Sequence, residues 1–572
     1  MEVLKKVWRR FEKILAALLI GLSMIHAGQM MGAMATTSLS TDEFGTVNTF
    51  SSRGPLRVVT DYRAPKNHVF FNLLNSILPA RDSLNPARVR ILAILATTLT
   101  AGCVIAYATY RQRLMEGAIF LTLWSLAPQL LSLSMEARGY GFLAFFAVAG
   151  GICTIEFLRT RAHPWLWMLV ATCVLGAYTI PAYLFFAAPL LLLLWAFDRT
   201  RVTFVAGLIS AGGMLLLYAP LLTQLFAEFT EFQKAAESDF TSLHGILRAA
   251  KLYIFSAEDW ETWTFLAAMA AAPLVLTWRF ERGEREGFIV VAAACVAFLA
   301  ILLVLKSPPI RVASFGFLPL TLAGLLSIGG FLRESLPFVV RPVVFTGLAI
   351  FLITDLLGAF KNFRFTPTED WSLAGKALQH GFPENTKVDY LRYAKYIRHT
   401  LPDAESRSAD FDESAFAAGG LVVVDAGNKW AEGRRFRPNP DLAKMAEWIV
   451  PGTIRDVVIH FKLPESQPEL TSIPSKAADR NPHTGAALPP EGLEFSVTPP
   501  TGARSMVLFF NRPIVWRDVM VSAKAGDRDL AGDAIIAGNG VILPMHDVSG
   551  AVEFRLQPVS GDVDLREVWF VQ

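Results

Sequence analysis

Asp42 and Glu43 stand side by side just after the first membrane-length apolar stretch, residues 14–34, in the run Ser-Leu-Ser-Thr-Asp-Glu-Phe. Two adjacent carboxylates do not rest easily in lipid, so they need water, a partner or a task. The task that suits them is proton abstraction. A carboxylate within reach of a hydroxyl serves as a general base, and repulsion between neighbours raises one pKa toward neutrality. Arg63, Lys66, Arg138, Lys306 and Arg311 are the cations that could complete such chemistry. Guanidinium and ammonium groups hold phosphate, above all a phosphate that gains charge as it leaves. Arg138 and Tyr140 lie in Ser-Met-Glu-Ala-Arg-Gly-Tyr, where Glu136 could equally be a structural partner of the arginine. Arg311 ends the tight turn Lys-Ser-Pro-Pro-Ile-Arg. Asn67 and His68 precede a half-apolar run, residues 69–78, that suits a helix lying along a membrane surface. Each feature also has a plain reading: solvated loop acids, cations snorkelling from an interface, a helix that only packs.

These residues need elements to position them, and the composition says which. Of 572 residues, 53% are hydrophobic and 18% charged, more apolar than a soluble chain of this size. The apolar residues fall in blocks near the ~20 needed to cross a bilayer, and about eleven spans result. They run over 14–34, 88–108, 114–133, 139–157, 164–178, 182–197, 202–220, 262–279, 287–305, 312–331 and 337–358. The basic start of the chain could open a signal peptide, but the apolar core that follows is too long, so a retained first helix is expected. His26 within it reads as a satisfied core residue.

Orientation follows from the loops. With the N-terminus inside, the inside loops carry Arg111 and Arg113, Arg159 and Arg161, Arg199 and Arg201, Arg279, Arg282 and Arg285, then Arg333. That is the positive-inside pattern. It places the loops 35–87 and 221–261 outside, together with the tail beyond residue 360. The five candidate cations then lie at outside ends of spans, against the usual preference.

The expected fold is a mainly α multispan membrane domain, residues 1–360, followed by an extracytoplasmic tail. The tail divides into an α/β region (361–463), a Pro/Ser/Ala-rich linker (464–490) and a β-rich, sandwich-like domain (491–572). Residues 371–380 and 387–399 read as helices, and 420–425 and 456–461 as strands. Short β-type runs at 493–497, 505–510, 515–523, 540–543, 552–556 and 565–571, broken by Gly, Pro and Asp, suggest the sandwich.

Several function classes recede. A net charge of +3 is too small to point to nucleic acid. No GxGxxG, Walker A, HExxH or Cys/His cluster is present, which disfavours nucleotide and ordinary zinc chemistry. Cys103, Cys153, Cys173 and Cys295 all sit in apolar blocks without a CxxC and read as small buried residues. A sugar transferase working outside cannot draw on cytoplasmic nucleotide sugars and needs a lipid-borne donor. It requires a base for the acceptor hydroxyl, cations for the leaving phosphate and an apolar groove for the lipid. The sequence offers each.

In order along the chain, Asp42-Glu43, Asn67-His68 with the run that follows, residues 134–140, and Arg311 with Pro319 resemble the membrane GT-C glycosyltransferases. The likeness is strongest to the bacterial relatives of protein O-mannosyltransferases and aminoarabinose transferases, and covers roughly residues 1–330. The resemblance implies a polyprenyl-phosphate sugar donor, a glycan, lipid or protein acceptor, and inversion at the anomeric carbon. It implies Asp42 as base, Arg138 and Arg311 as donor-phosphate contacts, and Glu43 and His68 in the pocket. It also implies a bacterial cytoplasmic membrane. A divalent cation on Asp42 and Glu43 is left open, although two acids fall short of a full coordination shell. The chain departs from the pattern at three places. Asn-His-Val-Phe stands where His-Pro-Pro is usual, Tyr-Thr-Ile-Pro-Ala-Tyr lacks the histidine that often follows the threonine, and Val-Ala-Ser rather than tyrosine follows Arg311. Sugar and acceptor therefore do not carry over. Two other readings compete: a multispan transporter or lipid flippase for an envelope precursor, and a membrane-anchored binding protein whose tail does the work. The near absence of mid-span charges weighs against the transporter.

Overall fold

The computed structural model describes residues 2–62, 67–78, 85–227, 259–304, 310–361, 371–390, 415, 420–428, 446–450, 455–462, 486–512, 519–545, 548, 550–559 and 563–571. The chain forms two compact units. The first comprises Met1–Thr36 and Gly45–Phe365, the second Thr37–Phe44 and Thr366–Gln572.

Among its described residues the first unit forms helices: α1 (Glu2–Thr36), α2 (Thr41–Thr49, begun in the second unit), α3 (Pro55–Thr60), α4 (Val69–Ser76), α5 (Pro86–Tyr110), α6 (Leu114–Ser125), α7 (Pro128–Met135), α8 (Tyr140–Thr160), α9 (His163–Thr179), α10 (Leu184–Asp198), α11 (Arg201–Tyr218), α12 (Asp259–Val275), α13 (Arg282–Val304), α14 (Ile310–Ser335) and α15 (Val340–Lys361). The protein is a multispan membrane protein. Among the described residues eight helices are long and apolar enough to cross a bilayer, or nine if the bent pair α6–α7 counts as one. The count of eleven spans is therefore not confirmed among the described residues. The segment expected at 114–133 is broken, turning by 84° between α6 and α7. Pro128 explains the break, since proline disfavours a helical residue before it and cannot donate to the ladder. His26 of α1 meets the broken end by hydrogen-bonding the backbone of Ser125. The segments expected at 164–178 and 262–279 are helices of 17 residues each.

At the centre runs α8, whose membrane window is 94% buried. It touches α5, α9, α13 and α14. Small residues permit this crowding. A methyl on Gly283 or Gly287 of α13 would lie 2.3 Å from the Leu158 carbonyl oxygen or 2.7 Å from the Ile155 Cα. The spacing Gly-Glu-Arg-Glu-Gly, residues 283–287, thus lets two backbones approach in the manner of GxxxG pairs. The glutamate next to Gly283 is used where the helices meet. Arg111 pairs with Glu156 (2.7 Å) and Glu284 (2.8 Å), Arg113 with Glu284 (3.0 Å), and Arg159 with Glu156 (2.5 Å). Arg333 pairs with Glu116 (2.9 Å) and with Glu12. The loop arginines of the sequence pattern therefore meet at one end of the bundle, and their carboxylate partners lie within the helices.

The second unit is built on three layers. One is the sheet β1-β2-β4-β3, from β1 (Lys387–Tyr390), β2 (Leu421–Asn428), β3 (Ala446–Val450) and β4 (Arg455–Phe461). The middle sheet is β10-β11-β7-β13-β5, from β5 (Ala486–Ala487), β7 (Ser505–Phe510), β10 (Ile535–Ala537), β11 (Gly540–Pro544) and β13 (Asp564–Val571). The third is β6-β12-β8-β9, from β6 (Leu493–Val497), β8 (Val519–Ala525), β9 (Arg528–Asp529) and β12 (Val552–Pro558). Val507, Phe509 and Trp569 of the middle sheet join a core with Trp371 of α16 (Trp371–Gly381), Trp448 and Phe461. Met506, Leu508 and Phe570 face the third sheet. Both faces of β7 are covered, which explains its unbroken apolar run Met-Val-Leu-Phe-Phe. Residues 387–390, expected as helix, are instead strand β1 paired in parallel with β2. The neighbouring strand decides there, because Val388 and Tyr390 fill the core shared with Trp371 and Trp448. Residues 391–399 of that expected helix lie outside the described residues.

Gly287→Leu is expected to force α13 away from α8, at a cost of about 1–3 kcal/mol. A lower thermal midpoint of the purified full chain in detergent, with Gly287→Ala intermediate, would confirm it.

Candidate active site

Pro128 starts α7, and the helix stops at Met135, where Glu136 turns to φ −56° and ψ 146°. The chain then makes a tight corner: the Arg138 amide donates to the Glu136 carbonyl at 2.5 Å. α8 begins at Tyr140. Thr97 of α5 holds this corner by donating its hydroxyl to the Ser134 carbonyl (3.1 Å). Gly141 lets the corner settle, since a methyl there would lie 2.4 Å from the same carbonyl oxygen.

His68 comes to the corner from another direction, at the N-cap of α4. The Gly139 amide donates to His68 Nδ1 at 2.8 Å. Only a glycine permits this. A Cβ at position 139 would lie 2.4 Å from Thr179 Cγ2 and 3.0 Å from His68 Nδ1. The bond assigns the tautomer: Nδ1 accepts, so the ring proton sits on Nε2. Yet Nε2 faces Arg138 Nη2 at 3.2 Å. Two donors are thus directed at one region, and an oxyanion could accept from both. The Tyr140 ring braces the pair, edge-on to His68 (centroids 5.0 Å) and 4.9 Å beneath the Arg138 guanidinium carbon. His68 and Arg138 are 2% and 5% exposed, so a charge received here would feel little screening from water.

Asn67, buried beside His68, gives both amide protons to backbone, at Val58 (2.9 Å) and Asp61 (2.7 Å). Glu136 is buried and contributes its carbonyl to the corner. Arg311 lies in the first turn of α14, its side chain outside the description. Arg63, Lys66 and Lys306 lie outside the described residues.

Asp42 and Glu43, both buried, open α2 in the stretch that clusters with the second unit. Glu43 Oε2 accepts from the Ser40 amide at 2.8 Å, and Ser40 Oγ accepts from the Glu43 amide at 3.3 Å. This is a capping box, and it employs Glu43 in starting the helix on which Asp42 sits. Phe44, the next residue, enters the core with Trp371 and Trp448. Among the described residues no group of three or more His, Cys, Asp or Glu is arranged to hold a metal ion.

The sequence reading missed Gly139 as a site residue, although it stands inside the Arg-Gly-Tyr motif. It also missed Thr97 and Thr179, which carry no local signal.

No protein-family model matches the sequence, and no curated protein matches it. Among solved structures it matches ArnT from Cupriavidus metallidurans, in the apo state and bound to undecaprenyl phosphate, at 14% identity over 77% of this chain and 97% of that one, with a TM-score of 0.43. The Archaeoglobus fulgidus oligosaccharyltransferase, in complex with Zn and sulfate, matches at 10% identity over 98% of both chains, with a TM-score of 0.45. The arabinosyltransferase EmbB from Mycobacterium smegmatis matches at 11% identity over 98% of this chain and 65% of that one, with a TM-score of 0.42. Likenesses at such TM-scores are too remote to lend this chain a residue role, a substrate or a metal.

Gly139→Ala is expected to push the His68 ring off its amide and weaken binding of a phosphate-bearing lipid about tenfold or more, the worth of one charge-assisted hydrogen bond. Titration of the purified variant with undecaprenyl phosphate, beside the wild type, measures the loss.

Proposed function

We propose that the protein transfers a sugar from a polyprenyl-phosphate donor to an acceptor hydroxyl at the outer face of a bacterial cytoplasmic membrane. The N-terminus would be cytoplasmic and the C-terminal unit extracytoplasmic. One observation supports the reading: with the Gly139 amide donating to His68 Nδ1, the buried His68 Nε2 lies 3.2 Å from Arg138 Nη2, two donor groups close enough together to be offered to one phosphate oxygen. In a multispan membrane protein, a phosphate attached to a lipid is the natural partner of such a pair.

The mechanism follows from that assignment. Asp42 accepts the proton of the acceptor hydroxyl. The oxygen attacks the anomeric carbon from the face opposite the phosphate, and the bond from that carbon to the phosphate oxygen breaks with inversion. The electron pair leaves with the lipid phosphate, which Arg138 and His68 stabilise as its charge grows. A phosphate ester is a good leaving group, so no separate general acid is required. Arg311, Arg63, Lys66 and Lys306 are proposed as further phosphate contacts, with Tyr140 bracing the pair. Glu43, held in the capping box, would orient the turn that carries Asp42.

Asp42→Asn is expected to lower transfer at least 100-fold, the usual scale for loss of a general base, with undecaprenyl-phosphate binding retained. Arg138→Ala should instead weaken that binding. The assay supplies purified protein with a panel of polyprenyl-phosphate sugars and several acceptors and follows released lipid phosphate. Full transfer by Asp42→Asn would remove the base assignment. Uptake into vesicles without any covalent product would favour a transporter.

A further inference from the structure

The segment that delivers His68 carries a second set of polar side chains. Ser51, Asn67 and Asn72 are fully buried, at 0% exposure each. Their hydrogen bonds form one line. Ser51 Oγ meets Asn72 Oδ1 at 3.0 Å, Asn72 Nδ2 meets Asn67 Oδ1 at 3.0 Å, and Asn67 Nδ2 meets the carbonyls of Val58 and Asp61. The direction of the line is forced from its far end. Two backbone carbonyls can only accept, so Asn67 must turn its NH2 toward them and its oxygen toward Asn72. Asn72 must then present its NH2 to Asn67 and its oxygen to Ser51, whose hydroxyl is left to donate.

Asn72 also grips the chain from the other side, because its backbone amide donates to the His68 carbonyl at 2.8 Å. One residue therefore holds His68 on both flanks: its side chain fixes the preceding Asn67, and its amide fixes His68 itself. Asn67 in turn anchors that flank to the end of α3. A shift of His68 by a fraction of an ångström would spoil the 2.8 Å contact to Gly139, and with it the tautomer that points Nε2–H at the phosphate position.

We infer that Ser51, Asn72 and Asn67 form a one-way hydrogen-bond relay that holds the His68 ring against Gly139, making Ser51 and Asn72 positioning residues for the phosphate site. This rests on the proposed role of His68. The relay has a testable directional weakness. Asp at position 72 is nearly isosteric, but its carboxylate has no proton to give Asn67 Oδ1. When protonated, it can donate to Asn67 and still accept from Ser51. Burial raises a carboxyl pKa, so mild acid restores the missing donor.

The experiment measures undecaprenyl-phosphate affinity in detergent micelles, with thermal midpoints alongside, for wild type, Asn72→Asp, Asn72→Ala, Ser51→Ala and His68→Ala. At about pH 7.5, Asn72→Asp should bind roughly tenfold more weakly than wild type, and near pH 5 it should recover relative to wild type at the same pH. Asn72→Ala should stay weak at both pH values, and Ser51→Ala should be mildly weakened. If Asn72→Asp binds like wild type at neutral pH while His68→Ala binds weakly, the relay is wrong and the phosphate role of His68 survives. If His68→Ala also binds like wild type, the phosphate role fails and takes the relay with it. Weak binding by Asn72→Asp at both pH values, with a lowered midpoint at both, would reduce Asn72 to a structural residue and overturn the inference.

Discussion

The bond from the Gly139 amide to His68 Nδ1 is the constraint on which the candidate site depends. It draws together the corner between α7 and α8 and the start of α4. It also decides which ring nitrogen carries the proton. Without it, His68 could accept from Arg138 and the two would satisfy each other. With it, Nε2 carries the proton and both groups are donors, which is the basis of the phosphate role proposed for them. The requirement reaches back into the chain: glycine at 139 for close approach, the 84° break before α7 to form the corner, Thr97 to hold it.

The other end of α8 is organised by a different balance. Twenty-one residues span about 31 Å at 1.5 Å per residue, so α8 is long enough to reach from the Arg138 corner across a hydrocarbon core. There Glu156 and Glu284 are shared among Arg111, Arg113 and Arg159. Buried carboxylates are costly unless each is paired, and breaking one partner leaves a charge uncompensated. The network therefore holds the ends of α5, α8 and α13 in register, while the Gly283–Gly287 spacing sets how closely the helices approach. Gly329 serves the same purpose for Glu116, since a methyl there would lie 2.3 Å from the carboxylate oxygen.

The acid pair takes two separate parts. Glu43 is engaged with the Ser40 amide, and Phe44 is engaged in an aromatic core with α16 and two sheets. Asp42 directly precedes these two residues, each fixed by its own contacts. A carboxylate held in this way loses little freedom when it acts, which suits the base role proposed for it.

Much of this was legible in the residues themselves. Apolar length gave a multispan helical protein, because a bilayer demands about 20 apolar residues per crossing whatever the tertiary packing. The strands at 420–425, 456–461 and 505–510 were visible because buried sheets select continuous β-branched and aromatic runs. The Arg-Gly-Tyr motif singled out Arg138. What sequence could not decide depends on contacts between distant positions. Residues 387–390 became a strand because β2 lies beside them, and local periodicity carries no record of a neighbour. The break between α6 and α7 turned one apolar block into two helices. The role of Glu43 depended on the Ser40 amide, and the tautomer of His68 on a glycine 71 positions away. Composition and spacing determine which groups are available. Only the folded chain decides which of them face each other, because hydrogen bonds and ion pairs act over a few ångströms and ignore distance along the sequence.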